Sequence, residues 1–303
     1  MTSSPMRLRR QIDSAVDLQA VVRAMKAQAA AGIAQYEKSV TAVAAYADTV
    51  ELGLAAALRR SHEVAPPGLG RPDVPAAVRR AIVFGSDQGL VGRFNETVAA
   101  LAARSLTASP GTVGIWAVGD RVHAALEAAG LSPRAAVPVP SSVLGITGLV
   151  TGLLTKVFDR DRSQDGSMHD DAPLLLFYNR PVPGSASMYE PVAQGLLPLD
   201  EAWRRSLIAR RWPSSQAPEV IGAVGPMLGA LIREHLFVSL FRACADSLAS
   251  ENASRLAAMD RADTNIDKLL VGLQSRFHRQ RQGVIDEQLS DVTAGFRALE
   301  NAG

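Results

Sequence analysis

Residues 85–95 read GSDQGLVGRFN and have the composition of a loop that could cradle a phosphate. The apolar run Ala81-Ile82-Val83-Phe84 precedes them, and ETVAALAARSL, with helical spacing, follows. Phosphate binding between a strand and a helix needs converging backbone N–H groups, with glycines that let the backbone come close. Gly85, Gly89 and Gly92 are four and three residues apart, which is not G-x-G-x-x-G, and no G-K-[ST] follows. Asp87 would set a negative charge against a bound phosphate. The chemistry favours a strand-to-helix turn in which Asp87 or Asn95 caps the helix.

The remaining reactive side chains form no constellation. His62, His123, His169, His235 and His278 are scattered without ligand spacing, so no metal site is expected. Cys244 is the single cysteine, which rules out an intrachain disulfide and a four-cysteine site. Glu251 and the acidic residues after Ile285 show no pairing suited to acid–base catalysis. The expectation is therefore no catalytic residue, no cofactor and no metal. A formal charge of +2 argues against a dedicated nucleic-acid binder, and 47% apolar residues are enough for a packed core. Only four of the 32 basic residues are lysines (Lys26, Lys38, Lys156, Lys268), a bias read as genomic composition. No uninterrupted apolar run reaches the ~18 residues of a membrane span. MTSSPMRLRR lacks the apolar core of a signal peptide, so a cytoplasmic chain that docks onto a membrane complex is expected.

The loop must be positioned by a mixed middle that two very long helices bracket. Apolar residues from Leu18 through Val22, Met25, Ala29, Ile33 and Tyr36 to Leu54 recur on average every 3.6 residues. No proline stands between Pro5 and Pro66. A helix over about 6–60 would be on the order of 80 Å long and must project from any globular body. After Pro226 the chain runs 77 residues without another proline, which as a helix spans roughly 100 Å. Helices of that length bury their stripes by pairing with each other. The stripe lies nearer 3.6 than 3.5, so gentle supercoiling is expected in place of a strict heptad coil. In the middle, AIVFGS, TVGIWAVG, APLLLFYNR and YEPVAQGLLPL read as strands and DRVHAALEAAG as a helix. That alternation predicts an α/β domain with a largely parallel sheet. The expected organisation is a long helix over 1–62, an α/β domain over 75–212 and a second long helix over 215–303. HEVAPPGLGRPDVP (62–75) reads as a flexible exit and DRDRSQDGSMHDD (159–171) as a polar loop.

Ser86-Asp87-Gln88-Gly89-Leu90-Val91-Gly92-Arg93-Phe94-Asn95 resembles the S-D-R-G-L-C-G-x-x-N signature of the gamma subunit of F-type rotary ATP synthases. RRQIDSAVDLQAVVRAMKAQAAAGI at residues 9–33 is similar to that family's N-terminal I-x-S-V-x-x-T-x-K-I-T-x-A-M-x-M-V-A-A. SENASRLAAMDRADTNIDKLL and FHRQRQGVIDEQLSDVTAGFRALE resemble its two C-terminal motifs, S-E-x-A-A-R-x-x-A-M-x-x-A-T-x-N and N-x-A-R-Q-x-x-I-T-x-E-x-x-E-I-x-x-G-A. The matches fall in order over essentially the whole chain.

The resemblance implies an antiparallel coiled coil of the two end helices and a Rossmann-like central domain. It implies a non-catalytic central-stalk rotor inside a ring of three alpha and three beta subunits. The foot would rest on the c-ring beside epsilon, peripheral to the cytoplasmic face of a bacterial inner membrane, with no insertion into it. It implies rotor–stator contacts at Met25, Arg255, Arg281 and Gln282, and signature residues Ser86, Asp87, Gly89, Leu90, Gly92 and Asn95. Read without the resemblance, Met25 is a core methionine, Arg255 a solvated arginine, and Arg276, Arg279 and Arg281 a solvated basic face. Leu18-Gln19-Ala20-Val21-Val22 replaces T-x-K-I-T, Gln28 a usual valine, Val91 the signature cysteine and Asp286 a threonine. These departures suggest a divergent branch, such as an alternative operon with sodium as coupling ion, and leave the choice between proton and sodium open. Two rivals predict other properties: a Rossmann-like nucleotide-binding enzyme requires a G-x-G fingerprint, and a non-rotary coiled-coil scaffold requires stable self-dimers.

Overall fold

The computed structural model describes residues 5–60, 78–108, 111–159, 172–182, 184, 188–213, 216 and 222–300, the side chains of 78, 159, 295, 296 and 298–300 excepted. The segments read as a flexible exit and a polar loop, with His62 and His169, fall almost wholly outside the described residues. Elements run α1 (Pro5–Arg60), β1 (Val78–Phe84), α2 (Phe94–Thr107), β2 (Thr112–Val118), α3 (Asp120–Ala128), β3 (Ala135–Val137), α4 (Val143–Asp159), β4 (Leu174–Pro181), β5 (Tyr189–Leu197), α5 (Glu201–Ala209) and α6 (Val224–Glu300). Two compact units result, one of Met1–Gln28 with Leu256–Gly303 and one of Ala29–Arg255.

The end helices are continuous over 56 and 77 residues. Pro226 stands in the first turn of α6, where a missing N–H costs no helical hydrogen bond. On α1 the fully buried positions Leu8, Ala15, Val22, Ala29, Tyr36 and Val50 differ by multiples of seven, with Val43 half-buried between the last two. On α6 Met259, Ile266 and Leu273 keep the same interval. The burial repeat is thus 3.5 and not the 3.6 of the apolar residues. The extra apolar residues that blurred the pattern, such as Leu18 and Val21, are exposed. Each end helix also holds an 18-residue stretch of mean hydropathy 1.3, apolar enough by composition to cross a membrane. Scattered polar residues hide these stretches from a search for unbroken apolar runs.

In the larger unit five strands form one sheet in the order β3-β2-β1-β4-β5. β1 pairs in parallel with β2 and β4, and β2 with β3; β5 is antiparallel to β4. The sheet is therefore mixed, because β5 returns directly beside β4 without a crossover helix. Side chains alternate between its faces as the pleat requires. Ala81, Val83, Ile115, Ala117 and Phe177 pack with α2 and α3. Ile82, Phe84, Trp116, Val118, Leu174 and Leu176 pack with α4 and with the parts of α1 and α6 in this unit.

Candidate functional site

The glycine-rich loop leaves the carboxyl end of β1 and enters α2, and its own side chains close it. Asn95, buried in the first turn of α2, accepts a hydrogen bond from the Ser86 backbone N–H through Oδ1 at 2.9 Å. Its Nδ2 donates to Ser86 Oγ, also at 2.9 Å, and Ser86 Oγ donates to the Gln88 carbonyl. Asp87 reaches away from α2: Oδ1 accepts the Asp120 N–H (3.0 Å) and Oδ2 the Val139 N–H (2.9 Å). The expected capping thus occurs on a different helix. Asp87 sits at the N-terminus of α3, where a carboxylate meets unpaired N–H groups and the positive end of the dipole. Asn95 pins the turn and caps nothing.

Close approach explains the glycines at 85 and 119. A Cβ on Gly85 would lie 2.3 Å from Val122 Cβ, and one on Gly119 only 2.6 Å from the Ser86 carbonyl oxygen. Gly119 also has φ 118°, which a side chain rarely tolerates. At the loop tip Leu90 adopts φ 63° and is 61% exposed. A leucine held there is strained and turned to solvent.

The loop is bolted to α6. Ser254 Oγ donates to the Val91 carbonyl, Ser250 Oγ to the Asn179 carbonyl at 3.2 Å, and Asn179 Nδ2 to the Phe94 carbonyl at 2.9 Å. Beside them Arg255 pairs with Glu251, one turn earlier, at 2.6 Å. Their side chains are 13% and 8% exposed, so Arg255 is not the solvated arginine that its sequence context suggests. Burial raises the Glu251 carboxyl above its ordinary range and the nearby Asp87 charge adds to that, while Arg255 opposes it. The sequence reading missed Ser250, Ser254, Asn179 and Gly119. The available signal was a row of polar residues on an otherwise apolar helix face.

The other sequence-derived site residues lie in the smaller unit. Met25 is half-buried in a cluster with Val22, Met259 and Ile266. Leu8, Ala15 and Leu273 make a second cluster, and the increasing numbers on α1 against the decreasing ones on α6 define antiparallel packing. Alongside the clusters runs a polar ladder. Gln19, 8% exposed, donates through Nε2 to Asp263 at 2.9 Å and also to Asp267. Arg23 Nε donates to Asp263 at 3.2 Å and Lys26 to Asp260. The Gln19 hydrogen bond holds the Asp263 carboxyl below the usual range. Arg281 and Gln282 are exposed, as are Arg276 and Arg279. The structure brings Met25 to α6 but gathers Met25, Arg255, Arg281 and Gln282 into no single cluster. Ile285, Leu289 and Val292 are 44%, 60% and 63% exposed; the side chains of Phe296 and Leu299 lie outside the described residues. Among the described residues no three His, Cys, Asp or Glu side chains are grouped to hold a metal.

The ATP synthase family profile matches residues 4–299, nearly the full chain. The chain belongs to the ATP synthase gamma-chain family. The ATP synthase gamma chain of Anaeromyxobacter dehalogenans (strain 2CP-C) is 26% identical over 304 residues, covering 96% of this chain and 98% of the relative. That of Fuscovulum blasticum is 26% identical over 298 residues, covering 96% and 98%. Among solved structures, a chain of the Euglena gracilis mitochondrial ATP synthase (OSCP/F1/c-ring, rotational state 3) superposes with a TM-score of 0.57 at 15% identity. It covers 97% of this chain and 94% of its own. The glycine-rich loop is thus a structural clamp between the sheet and the C-terminal helix.

Proposed function

We propose that this chain is the central-stalk rotor of an F-type ATP synthase, a non-catalytic subunit that couples ion flow in the membrane sector to catalysis. The carrying observation is the agreement with gamma chains over nearly the whole length of the chain. Residues 1–62 and 215–303 serve as the shaft, an antiparallel coiled coil, and 75–212 as a Rossmann-like foot. The seven-residue burial repeat and the antiparallel clusters support the shaft; the order β3-β2-β1-β4-β5 supports the foot. The partners are the alpha and beta subunits, epsilon and the c-ring, and the location is the cytoplasmic face of a bacterial inner membrane.

An asymmetric rod inside a threefold ring touches each beta subunit differently, and this inequality is the coupling free energy between rotation and nucleotide affinity. Met25, Arg281 and Gln282 are the side chains assigned to the rotor–stator contact. Arg255 contributes there through its buried pair with Glu251. The pairing of the ends within one chain counts against a scaffold that self-dimerises. Asp87 on the N-terminus of α3 counts against a phosphate site.

Co-expression with the alpha and beta subunits tests the reading. One copy of this chain per three alpha–beta pairs is expected in the purified complex, with no ATPase activity in the chain alone. Assembly of stable homodimers that ignore alpha and beta would refute it.

A further inference from the structure

The larger unit encloses a cavity of about 250 Å³ where α1, the β4–β5 edge, α5 and α6 meet. It lies on the sheet face opposite α2 and α3, away from the signature loop. Its lining is unusually polar for an interior space. Tyr178 and Arg180 come from β4, Gln194 from β5, and His235, Arg242 and Asp246 from α6. α1 adds Glu51, already held by Arg210 at 3.1 Å, and α5 adds Trp203, whose ring lies 4.6 Å from that of His235. Arg180 bonds Glu190 across the edge pair at 2.5 Å, both side chains being half-exposed. Among the described residues none donates a hydrogen bond to the Asp246 carboxylate.

We propose that this cavity is a proton-operated clasp, in which Arg180 is shared between Glu190 on the edge strand and Asp246 on α6. With Asp246 protonated, Arg180 stays on Glu190 and ties β4 to β5. With Asp246 ionised, a bare carboxylate faces the cavity, and Arg180 is drawn off Glu190 towards it. Arg180 feels both acids: its charged form is favoured first by the Glu190 hydrogen bond and also by Asp246. Arg242, exposed on α6, also attracts Asp246 and among the described residues has no tie to break.

The surrounding groups leave Asp246 as the one that changes charge. Burial pushes its carboxyl up to about 6, with Arg242 and Arg180 opposing. Burial pushes His235 down to about 4, so the imidazole is neutral across that window. Burial raises the Tyr178 hydroxyl, and Asp246 raises it further, so it also stays neutral. An acid whose folded value lies above its unfolded value binds the proton more tightly when folded. Stability is then greatest in acid and falls as pH rises through the window up to about 6.

The test is urea unfolding of the full chain, followed by tryptophan fluorescence. Trp116, Trp203 and Trp212 are the three tryptophans and all lie in the larger unit. Between about pH 5 and about pH 7.5 the wild type should lose stability relative to Asp246→Asn by about tenfold in the unfolding constant. Glu190→Gln, on the surface, frees Arg180 to hold Asp246 permanently and should cut that pH difference several-fold. The proposal is overturned if Asp246→Asn keeps the wild-type pH difference, or if Glu190→Gln leaves it unchanged. Should Asp246→Asn fail to fold, Glu190→Gln decides alone. Neither outcome depends on assembly with other subunits.

Discussion

Replacing Asn95 with alanine should destabilise the larger unit more than truncating its partner Ser86 does. Asn95 is 5% exposed and Ser86 is fully buried. Alanine strands the Ser86 N–H without its acceptor, which costs ~1–3 kcal/mol for a buried donor. It also removes the hydrogen bond from Nδ2 to Ser86 Oγ, worth about 1 kcal/mol. The sum is about 2–4 kcal/mol, or roughly 4–16 °C in melting temperature for a unit of this size. Ser86→Ala keeps the N–H on Asn95 but takes the acceptor from the buried Asn95 Nδ2, so it should cost about 1–3 kcal/mol. Urea unfolding of the purified chain by tryptophan fluorescence measures both. If Asn95→Ala falls within about 0.5 kcal/mol of wild type, the level of an ordinary surface change, the clamp is not structural. The signature would then have to be a recognition element.

Three further outcomes follow from the same contacts. Arg255→Met leaves Glu251 buried without its cation and should cost about 3–5 kcal/mol, whereas adding Glu251→Leu should recover most of that loss; equal losses in the single and double variants would contradict the pairing. Cys244 is 1% exposed and burial pushes its thiol up, so a thiol reagent should label it only at the rate of unfolding, and fast labelling of the native chain would contradict its placement. In the smaller unit Asp263 titrates below its unfolded value, so its contribution is present above about pH 4 and is lost as pH falls further. Helicity of the paired ends should therefore drop in acid, and Gln19→Met should flatten that drop; an unchanged acid transition would remove Gln19 from the ladder's energetics.

The long elements were legible because they obey local rules. A proline-free run with helical spacing requires a helix, and α1 begins at Pro5 and ends at Arg60 much as the spacing from Leu18 to Leu54 requires. Strands β1, β2 and β4 were legible as apolar runs. The helix α4 was not, because VLGITGLVTGLLTKVFD is rich in glycine and β-branched residues that favour other states. Burial of Ile146, Val150, Leu153 and Val157 on one face decides for the helix. β3 has three residues, too few for a pattern, and the direction of β5 depends on its pairing partner. The 3.5-residue repeat became visible only once burial separated seam residues from exposed apolar ones.

The signature loop shows the limit most plainly. Its residues could be named in advance, but Asp87 acts on N–H groups 33 and 52 residues away. Ser254, 163 residues beyond Val91, locks the loop to α6. Contacts at that separation are made by the topology of the sheet, which no local window contains. The solvated reading of Arg255 failed for the same reason: its i, i+4 relation to Glu251 was in the sequence, but its burial was not.

The rotor assignment is tested most directly by watching the chain turn. A probe on the foot, in a complex reconstituted with alpha and beta subunits and held by the ring, reports rotation on addition of ATP. The account predicts unidirectional steps of a third of a turn, one for each catalytic site. A complex that hydrolyses ATP at full rate while the probe stays fixed would contradict it.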